Sequence, residues 1–179
     1  MQAARGAAVA TEGPPPPARH RERHGVLLAA TAAVVLVADV VSKLVVVAQL
    51  SDRPSVTVIP HVLHLTLTRN AGAAFSVGTG ATILFTAVAV SVVVVIIRSI
   101  SSLASAGWAV SLGLLLGGAL GNLSDRIFRA PGPFRGHVID WVELPHWPVF
   151  NVADSGIVIG GVLAVLLSMR GIEMDGSHR

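Results

Sequence analysis

Two of the ten acidic residues stand where a free carboxylate is poorly suited: Asp140 in VIDWVE and Asp154 in PVFNVADSGIVIG, both beside long apolar runs. Asp154 follows Asn151 by three residues, the spacing of a helix cap and its first turn. If two carboxylates from separate stretches meet within a few ångströms, they cannot both ionise easily. One pKa rises, and the pair then offers a proton acceptor and a proton donor at neutral pH. That combination suits water-mediated amide hydrolysis, in which the carboxylate deprotonates water and the acid protonates the scissile group. The plainer alternative leaves Asp154 as a helix cap and Asp140 as a loop acid; spacing alone leaves both open.

Other polar residues lie near this pair. Asp39 and Lys43 interrupt an apolar run four residues apart, acid first. That spacing places them on one helical face in the favourable order. They either neutralise one another or fix their helix against the helices of the site. The segment TRNAGAAFS, Thr68 to Ser76, carries Asn70, Gly72, Ala73, Ala74 and Phe75. Its small residues suit the close approach of an extended peptide backbone, with Phe75 as an apolar anchor. In GGALGNLSDRIF, Gly117, Gly118 and Gly121 permit close helix packing, and Asn122, Asp125 and Arg126 follow. Asp125 and Arg126 are adjacent and so do not share a face; Arg126, near the outer headgroups, could bind phosphate.

Other chemistries are poorly served. Without cysteine, there are no disulfides, thiolate nucleophiles or thiolate metal sites. The seven histidines show no HExxH spacing. His61 and His64 suit a sheet surface better than a metal, so no metal and no cofactor is expected. Ser155 lacks a GxSxG context. The sequence pI near 11.0 rests on only 13 scattered Lys and Arg, with no tyrosine. That pattern argues for membrane orientation and against nucleic acid.

The elements that must position these groups follow from hydropathy. The chain has 179 residues, 53% hydrophobic and only 13% charged, with a mean hydropathy of +0.71. Soluble domains carry about 25% charged residues. Four apolar stretches lie at about residues 26–50, 81–97, 103–123 and 152–169. They match the roughly 17–25 residues a helix needs to cross a bilayer. Their valines would favour strands in water, but unpaired strand backbone is too costly in lipid. The first run is too long for a cleaved signal peptide. Residues 1–24 are expected to be a disordered tail, 25–169 the membrane domain and 170–179 a second tail. Arg19, Arg21 and Arg23 precede the first span. They place both termini in the cytoplasm and both long connections outside. Near-alternation in VTVIPHVLHLTLTRN suggests a small sheet on the membrane surface, with Pro60 limiting any strand to an edge or a break. Trp108, Trp141 and Trp147 lie near span ends, as in an interfacial belt. The outer clustering of Asp125, Asp140 and Asp154 argues against a proton-coupled transporter, and a presenilin-like protease would need a GxGD sequence, which is absent.

Taken in chain order, Asp39 with Lys43, NAGAAF (Asn70 to Phe75), GGALGNLSDR (Gly117 to Arg126), VIDW (Val138 to Trp141) and PVFNVADSGIVIG (Pro148 to Gly160) resemble the lipoprotein signal peptidases, the signal peptidase II family of bacterial membrane aspartic peptidases. Each motif alone is weak; five in order are specific, and they span roughly residues 26–169. The resemblance implies an all-α integral membrane protein of four transmembrane helices with a small extracytoplasmic β-domain between helices 1 and 2. It lies in the cytoplasmic (inner) membrane, with the active site facing outside. The implied activity is removal of signal peptides from diacylglyceryl-modified prolipoproteins, on the N-terminal side of the lipidated cysteine. Membrane lipids and globomycin-type peptide inhibitors are further implied partners. The resemblance assigns catalysis to Asp140 and Asp154. It assigns the substrate site and its support to Asn70, Gly72, Asn122, Asp125, Arg126 and Asn151, leaving Asp39 and Lys43 a structural part. Trp141 stands where phenylalanine is common, and FRAPGPFRG, Phe128 to Gly136, lengthens the outer loop relative to the shortest members.

Overall fold

The computed structural model describes residues 18–72 and 79–178. Four long helices, α1 (Ala18–Leu50), α2 (Thr79–Ser99), α3 (Ala106–Phe128) and α4 (Val152–Met169), are each long and apolar enough to cross a membrane. A 3-10 turn, Ile100–Ser102, follows α2. The helix α1 begins at Ala18, ahead of the apolar run. Its basic and acidic residues are good helix formers, so the helix can continue beyond the hydrocarbon layer.

The central helix is α3, which packs against each of the other three. Half of its most apolar stretch is buried, against 11% for α2, which faces outward along most of its length. Glycine makes the close seams possible. A Cβ at Gly118 would stand 2.4 Å from the Ala153 carbonyl oxygen of α4, and one at Gly121 would stand 2.6 Å from Oδ2 of Asp39 on α1. At one end of the bundle, Leu28 and Ala32 of α1, Ile96 of α2 and Leu103 meet Ala109, Leu112 and Leu116 of α3 in a buried cluster. Val34, Val37, Val41, Val94, Val95, Val158, Val162 and Val165 instead face outward. Such an apolar girdle would be an aggregation surface in water and is matched to lipid tails. At the same end the 170–178 segment folds back. Met174 accepts from the backbone N–H groups of Ala104 and Ser105 at 2.8 and 3.2 Å, and Trp108 Nε1 donates to the Ile172 carbonyl at 2.8 Å.

The other end carries an antiparallel sheet in the order β1 (Val56–Ile59), β2 (Leu63–Asn70), β3 (Val138–Glu143). The expected break occurs at Pro60: the first two strands end and begin on either side of it, with His61 at φ 62° in the turn. The third strand was not expected. It comes from the connection between α3 and α4, and it pairs Thr68 with Asp140 and Asn70 with Val138. Asp140 is therefore a strand residue and not a loop acid. The alternation in VIDWVE carried that signal, and the surrounding prolines and glycines obscured it.

Candidate active site

The site forms where β3, the end of β2, the C-terminal end of α3 and the start of α4 converge. Its centre is Asn151, which is fully buried. The sequence makes Asn151 the cap of α4: its Oδ1 accepts from the Asp154 backbone N–H at 2.9 Å. Asp154 Oδ2 accepts in return from the Asn151 backbone N–H at 3.2 Å. The two bonds close a capping box, each satisfying a donor that the helix start leaves open. The remaining donor of the cap, Nδ2, reaches Asp140 Oδ1 at 2.6 Å. One asparagine thus joins both carboxylates, the first through its side chain and the second through its backbone.

Two further amides complete the arrangement. Asn70 Nδ2 donates to Asp140 Oδ2 at 2.9 Å, and Asn122 Nδ2 donates to Asp154 Oδ1 at 2.8 Å. Gly72, at φ 97°, directs its N–H to Asn70 Oδ1 at 2.8 Å. That backbone conformation favours glycine. Ala73, Ala74 and Phe75 lie outside the described residues. Asp140 is only 2% exposed, whereas Asp154 is partly open. Burial pushes the Asp140 carboxyl from its ordinary 3.8 up to about 6, and the neighbouring Asp154 charge adds to this. The Asn70 and Asn151 hydrogen bonds and the Lys43 charge pull the other way, since each favours the ionised form.

Beneath the pair lies a buried charge network. Lys43 Nζ stands 2.7 Å from Asp39 Oδ2, 2.9 Å from Asp125 Oδ2 and 3.1 Å from Asn122 Oδ1, with Asp39 and Lys43 both fully buried. Asp39 Oδ1 accepts from the Ala153 backbone N–H at 2.9 Å. The pair therefore ties α1 to α3 and to the start of α4, rather than merely neutralising itself. Asp125 Oδ2 also accepts from the Ile139 backbone N–H at 3.1 Å, holding β3 immediately before Asp140.

Two features escaped the sequence reading. Arg129 binds Asp125 through Nε, and the i,i+4 spacing that revealed Asp39 and Lys43 could have revealed it as well. The second is the packing of Arg126 against a ring of α2. This arginine is buried, 8% exposed, and its guanidinium lies over the Phe85 ring of α2 at 5.7 Å. The side of α3 that carries Arg126 turns toward α2, and the ring face attracts the cation. Among the described residues, no three His, Asp or Glu side chains converge as metal ligands.

Four helices of spanning length with a small three-stranded sheet and a buried polar site define a helical integral membrane enzyme. A solved structure described as a bacterial membrane enzyme is similar to this chain at a TM-score of 0.70 and 28% identity, over 82% of this chain and 92% of that one. A family model for signal peptidase (SPase) II matches residues 31–170, and the chain belongs to that family. The lipoprotein signal peptidase of Rhodococcus jostii (strain RHA1) is 52% identical over 146 residues, which cover 82% of this chain and 74% of the relative. That of Streptomyces coelicolor (strain ATCC BAA-471 / A3(2) / M145) is 53% identical over 139 residues, covering 78% and 68%. The protein is thus a membrane hydrolase that processes lipoproteins.

Proposed function

We propose that Asp140 and Asp154 are the catalytic pair of an aspartic endopeptidase acting on diacylglyceryl-modified prolipoproteins, on the N-terminal side of the lipidated cysteine. The observation that carries this reading is the position of Asn151, bonded at once to both carboxylates. Asp140, whose pKa is raised, holds the shared proton. Asp154, the more open of the two, takes a proton from water as the hydroxyl attacks the scissile carbonyl. The C–N bond then breaks as Asp140 delivers its proton to the leaving cysteine nitrogen. Asn70, Asn122 and Asn151 hold the two acids in register, and Gly72 fixes the Asn70 amide. Arg126, buried against Phe85, supports the site from beside the acids. Asp39, Lys43 and Asp125 position the three elements that carry these groups.

The bond to be cut joins a membrane-embedded signal helix to a lipid-bearing cysteine, so it lies at the depth of the span ends where this pair is found. The basic cluster before α1 supports cytoplasmic termini and an outward-facing site. Globomycin-type cyclic peptides would occupy the same cleft as a substrate backbone. A proton-coupled transporter is disfavoured, because Asp39, the deepest acid, is already engaged by Lys43 and the Ala153 N–H.

The test is incubation of the purified protein with a lipidated and an unlipidated prolipoprotein. Cleavage of the lipidated form alone is expected, with no cleavage by Asp140→Asn or Asp154→Asn although both variants insert normally. Full activity in either variant would refute the pair.

A further inference from the structure

A second polar feature lies on the α1 and α3 side of the sheet. A pocket of about 440 Å³ is formed where the outer ends of α1 and α3 meet β2, β3 and the loop between α3 and β3. Its polar lining is Arg69, Arg129 and His137, with no carboxylate among the lining residues. Arg69 is exposed and has no ion-pair partner among the described residues. Arg129 lends Nε to Asp125 and keeps its two terminal amino groups for another acceptor. The floor and sides are apolar, with Val47, Phe128 and Pro131.

The wall is well defined. The Arg129 N–H donates to Asp125 O at 2.9 Å, the Gly136 N–H to Arg126 O at 2.9 Å and the His137 N–H to Ala130 O at 3.0 Å, which pins the loop onto the end of α3. Depth is fixed as well. Val47 is in the last turn of α1 and Phe128 is the last residue of α3, so with both helices read as membrane spans the pocket falls at the ends of the spans, beside the headgroups. Phe128 is 83% exposed. An aromatic surface beside a basic rim is the pairing that a membrane interface favours.

We propose that this pocket binds the phosphate of an anionic phospholipid from the outer leaflet, with Arg69, Arg129 and His137 as its donors and an acyl chain descending past Phe128 and Val47. Two guanidinium groups and an imidazole offer the forked donors that a phosphate accepts. The apolar floor has no use for a free anion. On the function proposed above, the substrate's own lipid is a diacylglyceryl thioether without phosphate, so the two lipids are chemically distinct. The site is separate from the Asp140 and Asp154 pair, and its test does not depend on cleavage.

The full chain, delipidated in a non-ionic detergent, is titrated with phosphatidylglycerol, with dioleoylglycerol and with inorganic phosphate while bound ligand is counted by native mass spectrometry. Saturable phosphatidylglycerol binding is expected, about fivefold weaker in Arg69→Gln and unchanged in Arg98→Gln at the far end of α2. Equal binding of dioleoylglycerol would overturn the phosphate assignment. Displacement of phosphatidylglycerol by inorganic phosphate would overturn the lipid assignment in favour of a free-anion site. His137→Gln serves as the second variant should Arg69→Gln not fold, and unchanged affinity in whichever variants fold would overturn the pocket altogether.

Discussion

Replacing Asp140 with asparagine should remove much of the pH dependence of this protein's stability between about pH 4 and about pH 7.5. The Asp140 carboxyl is held at about 6 in the fold, against an ordinary 3.8. Between those values the folded state binds more protons than the unfolded state, so stability falls as pH rises through the window. Above about 6 the full cost is present. About two pKa units at roughly 1.4 kcal/mol each amount to about 3 kcal/mol, almost none of it present near pH 4. Asparagine has no charge to bury. Its amide does turn an NH2 toward either Asn70 or Asn151, each of which donates to Asp140 in the native protein. That mismatch costs about 1–3 kcal/mol but does not depend on pH, so it cancels when the two pH values are compared. The stability difference between variant and wild type should therefore move by about 2–3 kcal/mol in the variant's favour from about pH 4 to about pH 7.5. Equilibrium unfolding in mixed detergent micelles at both pH values measures it. Parallel slopes for the two proteins would refute the claim that burial of Asp140 holds its proton.

The same network supports other expectations. Lys43→Met leaves the Asp39 carboxylate buried without its cation and Asp125 with Arg129 alone. It should cost about 3–5 kcal/mol in the same unfolding assay, whereas a loss below about 1 kcal/mol would show the pair to be dispensable. Gly118→Ala forces a Cβ against the Ala153 carbonyl oxygen, at the turn of α4 that carries Asp154. It should lower stability by about 1–3 kcal/mol and reduce kcat more than it raises KM. Asn151→Ala removes both the α4 cap and the amide between the two acids. Loss of the cap alone should cost about 1–2 kcal/mol. Cleavage should fall far more than the loss of folded protein accounts for, and retention of wild-type kcat would separate Asn151 from the chemistry.

Much of this architecture is local and could be read along the chain. Four apolar runs of spanning length become helices because a backbone in lipid must satisfy its own hydrogen bonds. The pairing of Asp39 with Lys43 follows from one turn of helix, and the cap from Asn151 to Asp154 from three residues of spacing. Pro60 marked the break between β1 and β2 because it cannot donate to a ladder. The acids of the candidate site were legible as residue types out of place beside apolar sequence.

Their convergence was not legible, because it depends on pairings between distant segments. Asp140 reaches Asn70 only because β3 hydrogen-bonds to β2 across 70 residues of sequence, and nothing in either strand names the other. The burial of Arg126 was decided in the same way, by which face of α3 the packing of α2 covers. Residue type and short-range spacing alone determined the four spans, the cap and the pair on α1, since each depends on neighbours within one or two turns. Only the tertiary structure decided that one buried asparagine holds two carboxylates, and that a lysine from the first span lies beneath them. Those contacts join four elements whose relative placement is set by helix seams and strand register.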